Sequence, residues 1–214
     1  SNDREYPILS WQPIIEENLA RDVPTPQPKF ALEGLLAFAS DQNGNYDIYT
    51  MLPDGSGLTN ITNNPAGDSL PFWSPNGQRI AFISDRNSSV QIYLMDADGS
   101  NVTQLTNGEG TYRFDINGFT PWSPDGRKLI FFHRLPGEKG DTLHVIDIAD
   151  KSTITLTNEP GGYLLPSWSP DGNHIAFSKF TDGAPVDLFI VGSDGTRLVE
   201  LTENVPSSEF VPVD

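Results

Sequence analysis

Three serines stand in near-identical settings: Trp73-Ser74-Pro75-Asn76-Gly77, Trp122-Ser123-Pro124-Asp125-Gly126 and Trp168-Ser169-Pro170-Asp171-Gly172. A serine beside an aspartate suits nucleophilic hydrolysis when a base lies within hydrogen-bond reach and donors await the oxyanion. No histidine keeps a fixed offset from any of the three. Proline presets a turn, glycine supplies a positive φ, and Asp or Asn bonds the amides of the turn itself. Three equivalent copies are the mark of a repeated strand turn whose tryptophan packs between neighbouring repeat units. A working active site is normally single.

Other residue types bear on metal chemistry. Asp41, Asn43, Asn45 and Asp47 alternate as in the start of an EF-hand calcium loop. The glycine, however, is at the fourth position, and Leu52 stands where the bidentate Glu belongs. A hairpin turn is the preferred reading, with calcium as the only cofactor the chain suggests. The histidines share no ligand spacing. His144 aligns with Tyr49, Tyr93 and Phe189, His133 with Ala39, Ile83 and Ser178, and His174 with Arg79. Neither a GxSxG, a P-loop nor an HExxH motif occurs.

The elements that hold these residues come from the rest of the chain. Its 214 residues carry a formal net charge of −16. That charge repels phosphate backbones, so nucleic acid is excluded as a partner, and it favours cationic surfaces. No stretch approaches the roughly 20 apolar residues of a membrane helix. The absence of cysteine removes disulfides and thiolate chemistry.

Four markers recur with a period of about 46. The WSP tryptophans are 49 and 46 residues apart. Phe38, Phe82, Phe132 and Phe177 lie in LLAFAS, RIAFIS, LIFFHR and HIAFSK. YDIYTM, VQIYLM, TLHVID and VDLFIV follow, and then NIT, QLT, TLT and ELT. Asp-Gly pairs at 54–55, 98–99 and 194–195 mark the turn between the last two series. Each unit reads as four short antiparallel strands with no room for a crossover helix, the signature of a β-propeller blade. The predicted fold is all-β, a propeller of four repeat units over residues 35–214. Residues 1–34 form an N-terminal extension, with a short helix in "QPIIEENLARD" and a proline-rich connector at 24–29. The C-terminal "SSEFVPVD" is expected to supply the missing inner strand of the first blade, with Pro212 matching Pro71 and Pro166. The rivals are a larger ring made of two chains and a piece of a longer propeller. "SWQP" at 10–13 echoes "SWSP" at 167–170; coincidence or a packing segment is preferred over a decayed strand.

The run IAFISDRNSSVQIYLMDADGSNVTQLTN, followed in its blade by LPFWSPNG, resembles the WD-repeat-like propeller repeat of TolB-family proteins. The resemblance covers residues 35–214. It implies a bacterial extracytoplasmic propeller, periplasmic or extracellular, whose signal peptide has been removed. The family's namesake carries a separate α/β domain and six blades, so its role in the Tol system does not carry over to four units.

Within a blade, WSPDG and Asp-Gly turns share one uniform face. The loops between strands 2 and 3 and between blades share the other, irregular one. Function concentrates on irregular loops held by a rigid scaffold. Arg86, Tyr112, Arg113, Asp115, Arg134 and Tyr163 are therefore the candidate contacts. The expected role is a non-enzymatic binding module for a protein or peptide, acting as a monomer. The alternative is a propeller enzyme, a hydrolase or lyase on sugar or peptide, with a site in the central channel.

Overall fold

A computed structural model of the chain describes residues 10–11, 34–115, 120–180 and 186–202. Every regular element among them is a strand, and the strands form four antiparallel sheets of four. Sheet 1 holds β1 (Ser10–Trp11), β2 (Leu36–Ser40), β3 (Asp47–Met51) and β4 (Thr59–Asn60). Sheet 2 holds β5 (Asp68–Trp73), β6 (Arg79–Ser84), β7 (Gln91–Asp96) and β8 (Thr103–Gln104). Sheet 3 holds β9 (Thr111–Arg113), β10 (Lys128–Arg134), β11 (Thr142–Asp147) and β12 (Thr153–Thr155). Sheet 4 holds β13 (Gly162–Trp168), β14 (His174–Phe180), β15 (Asp187–Gly192) and β16 (Val199–Glu200). The chain divides into two compact units, Ser1–Gly108 and Glu109–Asp214.

The inner strand of sheet 1 corrects the expected closure. The place beside β2 is taken by Ser10–Trp11, through the pairs Ser10↔Ala37 and Trp11↔Leu36. The C-terminal segment expected there, residues 207–214, lies outside the described residues. The reading of SWQP as coincidence is corrected with it. Trp11 meets Leu36 in the same register in which Trp73 meets Ile80, Trp122 meets Leu129 and Trp168 meets Ile175. The expected helix and proline-rich connector fall outside the described residues.

The sheets also fix the alignment that the sequence left one residue adrift. Lys128 pairs with Asp147 as Arg79 pairs with Asp96, which makes Phe131 the partner position of Phe82. The sequence markers alone put Phe132 there. His133 then matches Ser84, not Ile83. The ring pairs agree: Phe38–Tyr49, Phe82–Tyr93, Phe131–His144 and Phe177–Phe189 lie 6.0, 5.7, 5.2 and 5.5 Å apart. Tyr112↔His133 corresponds to Asp68↔Ser84, yet Trp122 stands ten residues past Tyr112 where Trp73 stands five past Asp68. Sheet 3 therefore carries a five-residue insertion in its inner strand.

Within each unit one sheet face packs on the next sheet. Ala37 and Ile48 of sheet 1 meet Trp73, Ile80, Phe82, Tyr93 and Met95 of sheet 2. Ile130, Phe132, Leu143 and Val145 of sheet 3 meet Tyr163, Ile175, Phe177 and Val191 of sheet 4. Strands buried on both faces lose their polar alternation, which is why RIAFIS and KLIFFHR read as continuous apolar runs.

The serine turns behave as structural devices. Ser74, Ser123 and Ser169 donate to Asn76, Asp125 and Asp171 at 2.8, 2.6 and 2.6 Å. Each hydroxyl also accepts the amide of Arg79, Lys128 or His174 at 3.0, 2.9 and 2.9 Å. Gly77, Gly126 and Gly172 take φ of 65, 69 and 70°. The Ser169 hydroxyl, followed by the amide of Asn173, holds the Asp171 carboxyl down from 3.8 to about 2.

Candidate functional site

The candidate residues fall in both units. In the first, Arg86 is committed inside the protein. Its Nη2 donates to both carboxylate oxygens of Asp68 at 2.9 Å, and its Nε donates to Ser84 Oγ at 2.9 Å. Its guanidinium lies 5.3 Å from the Phe82 ring centre and 4.8 Å from that of Tyr93. The Arg86 side chain is 17% exposed and Asp68 is fully buried. This pair locks the irregular end of sheet 2 and leaves the guanidinium little surface for a ligand. Burial raises the Tyr93 hydroxyl, against the lowering pull of Arg86.

The calcium-like stretch is knitted by protein donors. Asp41 closes a turn, its carbonyl accepting Gly44 N at 2.9 Å. Asn43 Nδ2 donates to the Tyr49 hydroxyl, and Asn45 Nδ2 to the carbonyls of Asn64 and Ala66. The buried Asp47 carboxylate accepts from Asn60 Nδ2, Thr62 Oγ1 and Asn64 N. These four residues build the hairpin that the sequence favoured. No three His, Cys, Asp or Glu side chains converge as a metal set among the described residues.

In the second unit the structure gathers Arg113 and Arg134 around one buried carboxylate, Asp141. Arg113 Nη2 lies 2.7 Å from Asp141 Oδ2. Arg134 donates from Nε to Oδ1 at 3.0 Å and from Nη2 to Oδ2 at 2.9 Å. Burial acts to raise the Asp141 carboxyl, but the hydrogen bonds from Arg134 and Arg113 outweigh it and lower it. Asp141 is 5% exposed, whereas Arg113 and Arg134 are 35% and 47% exposed. Two cations thus share one anion, and both keep donors at the surface. Arg113 also covers the Phe132 ring at 4.3 Å.

Tyr112, Arg113 and Tyr163 were expected in loops and instead lie on the inner strands β9 and β13. Tyr112 is buried and stacks on His133 at 4.2 Å, and burial raises its hydroxyl. Asp115, in the inserted segment, accepts Leu165 N at 2.7 Å. Leu165 has a φ of 53°, so this carboxylate steadies a strained backbone at the bulge of β13. Tyr163 is buried, and its hydroxyl donates to the Glu159 carbonyl at 3.0 Å.

Tyr163 also walls a pocket of about 220 Å³, together with residues 157–159, Phe177, Lys179, Phe189 and Leu198. Sequence reading missed Asp141, Lys179 and the Phe177–Phe189 pair. Asp141 was traceable as the aspartate immediately before the third strand of its sheet, one place ahead of the position where Asp47 and Asp187 open theirs. Lys179 gave no signal until the register placed it opposite Tyr163.

Four-stranded antiparallel sheets repeated in one register define a propeller-type repeat protein. The sequence profile of the TolB beta propeller domain matches residues 24–134, more than half of the chain, and the chain belongs to that family. It is 36% identical over 67 residues to the Tol-Pal system protein TolB of Syntrophus aciditrophicus (strain SB), a stretch covering 29% of this chain and 15% of that one. The fold is similar to the crystal structure of TolB from Acinetobacter baumannii, with a TM-score of 0.60 and 27% identity over 78% of this chain and 40% of that one. It also matches an oligogalacturonate lyase in complex with manganese, with a TM-score of 0.57 and 16% identity, covering 78% and 48%. The last likeness shows the fold alone. The chain spans well under two thirds of the length of each of these proteins.

Proposed function

We propose that the chain is a non-enzymatic, extracytoplasmic binding module that recognises a protein or peptide through the irregular edge of its second unit. The observation that carries this reading is the Arg113–Asp141–Arg134 cluster. Two guanidinium groups on one buried carboxylate leave a surplus positive charge with outward N–H donors, fixed in place by strands. Rigid arginines beside aromatic walls are the residue types that dominate protein interfaces. Similarity to TolB proteins supports a protein partner and a location outside the cytoplasm.

The test is capture of partners from an envelope fraction by the immobilised chain, compared with Arg134→Ala. The variant is expected to weaken capture about tenfold, since a half-exposed interface arginine contributes on the order of 1 to 2 kcal/mol. Equal capture by both proteins overturns the assignment of the edge. Turnover of oligogalacturonate or of peptides by the purified chain overturns the non-enzymatic reading in favour of a propeller enzyme.

A further inference from the structure

The pocket beside Lys179 has a counterpart in the first unit, and the two differ in charge. By strand register, Tyr163↔Lys179 stands where Asp68↔Ser84 stands, and Phe177 and Phe189 stand where Phe82 and Tyr93 stand. In the first unit the space over the two rings is filled by the Arg86 guanidinium, closed by Asp68 and Ser84. In the second unit both closing groups are exchanged. Tyr163 removes the carboxylate, and Lys179 adds an ammonium in place of a hydroxyl. Lys179 Nζ lies 6.0 Å from the Tyr163 ring centre, and no carboxylate is in ion-pair reach of it among the described residues.

The polar wall differs in the same sense. Thr62 and Thr106 donate their hydroxyl hydrogens to Asp47 and Gln91. Thr157 holds the same place in sheet 3, accepting Leu143 N at 2.9 Å. The place of Asp47 and Gln91 is taken in sheet 3 by Thr142, whose hydroxyl is engaged with the His133 carbonyl at 3.1 Å and the His144 ring at 2.7 Å. Thr157 lines the pocket next to Asn158 and Glu159, and among the described residues its hydroxyl is engaged only as the acceptor of Leu143 N.

We infer that this pocket receives a carboxylate carried on an apolar body about one residue in size. The apolar part lies on Phe177, Phe189 and Leu198, and the carboxylate meets the Lys179 ammonium and the Thr157 hydroxyl. The volume of about 220 Å³ falls below the roughly 300 to 1,000 Å³ of drug-sized sites, which suits a single side chain or terminal residue. With a formal net charge of −16, the protein as a whole repels anions, so the acid form of a guest gains only from this local ammonium. The inference rests on the binding-module reading only in taking the natural source to be a peptide.

The test titrates the full chain with 3-phenylpropionate and with its neutral amide, followed by NMR. The acid is expected to bind about tenfold more tightly than the amide, the scale of one charge-assisted hydrogen bond. Lys179→Gln should abolish the difference, and Lys179→Arg should keep it. Equal binding of acid and amide, or no saturation by either at about 10 mM, overturns the inference. A Gly-Gly-Phe peptide with a free or an amidated C-terminus then separates the sources. A free-acid peptide that binds more tightly than 3-phenylpropionate points to chain termini, and one that binds more weakly points to a free small acid. Envelope capture is read separately, so loss of carboxylate binding with capture intact sinks only the pocket. Loss of capture with carboxylate binding intact sinks only the protein-partner reading.

Discussion

His144 occupies the place that Tyr49, Tyr93 and Phe189 hold in the other sheets, and its ring stacks on Phe131 at 5.2 Å. Burial, reinforced by the neighbouring His133, holds its imidazole down from 6.5 to about 4. The sign of the consequence is fixed. Above about pH 6.5 the histidine is neutral folded and unfolded, and its contribution to stability is fully present. As pH falls from 6.5 toward 4, the unfolded chain takes up a proton that the folded chain refuses, and stability declines. The urea midpoint should therefore drop between about pH 7 and pH 4.5, and His144→Tyr should flatten that drop. An unchanged slope in the variant would place the effect elsewhere. At this scale the sequence was partly legible. It placed His144 correctly and read the serine turns as structural. It did not reveal that Arg86 turns inward, because its partner Asp68 is 18 residues away on a neighbouring strand.

The strands show why some registers can be read and others cannot. LLAFAS, RIAFIS and HIAFSK align by eye, whereas LIFFHR offers two adjacent phenylalanines on a strand buried on both faces. With no polar face to orient it, a one-residue slip costs the pattern nothing. Only the pairing of Lys128 with Asp147 resolves it. The turn that follows the third strand tells a similar story. Gly55, Gly99 and Gly195 adopt φ of 84, 84 and 79°. Sheet 3 places Lys151 at the same point, with a φ of 61°. A side chain in that region is strained, and glycine is not. Lys151→Gly should thus raise stability by about 1 kcal/mol, seen as a higher urea midpoint at constant m. A lower midpoint would mean that the lysine's own contacts outweigh the strain.

Across the whole molecule, the repeat was the most legible feature, because four markers in a fixed order report sheet number and strand order together. The first inner strand was the least legible, because a two-residue strand separated from its sheet by 24 residues leaves almost no pattern. One sheet face is apolar and exposed among the described residues. Leu164, Phe180, Leu188 and Val199 lie on the same face of sheet 4, at 39%, 45%, 38% and 49% exposure. On the opposite face Ile175 and Val191 are fully buried. An apolar patch of this kind binds hydrophobic dyes and promotes association. Leu188→Lys combined with Val199→Lys should reduce anilinonaphthalene sulfonate fluorescence and leave the melting temperature within a few degrees. A large fall in melting temperature would show that these side chains support the fold.

Ser10–Trp11 pairs with its sheet across a long stretch of chain, which makes it an exchangeable part. Cutting the chain between residues 12 and 33 would leave the strand held only by its affinity. A synthetic peptide ending in Ser-Trp could then compete for the vacated groove along Leu36 and Ala37. The protein would become a two-piece system, in which assembly of the first sheet depends on the concentration of a free strand and can be titrated like any ligand.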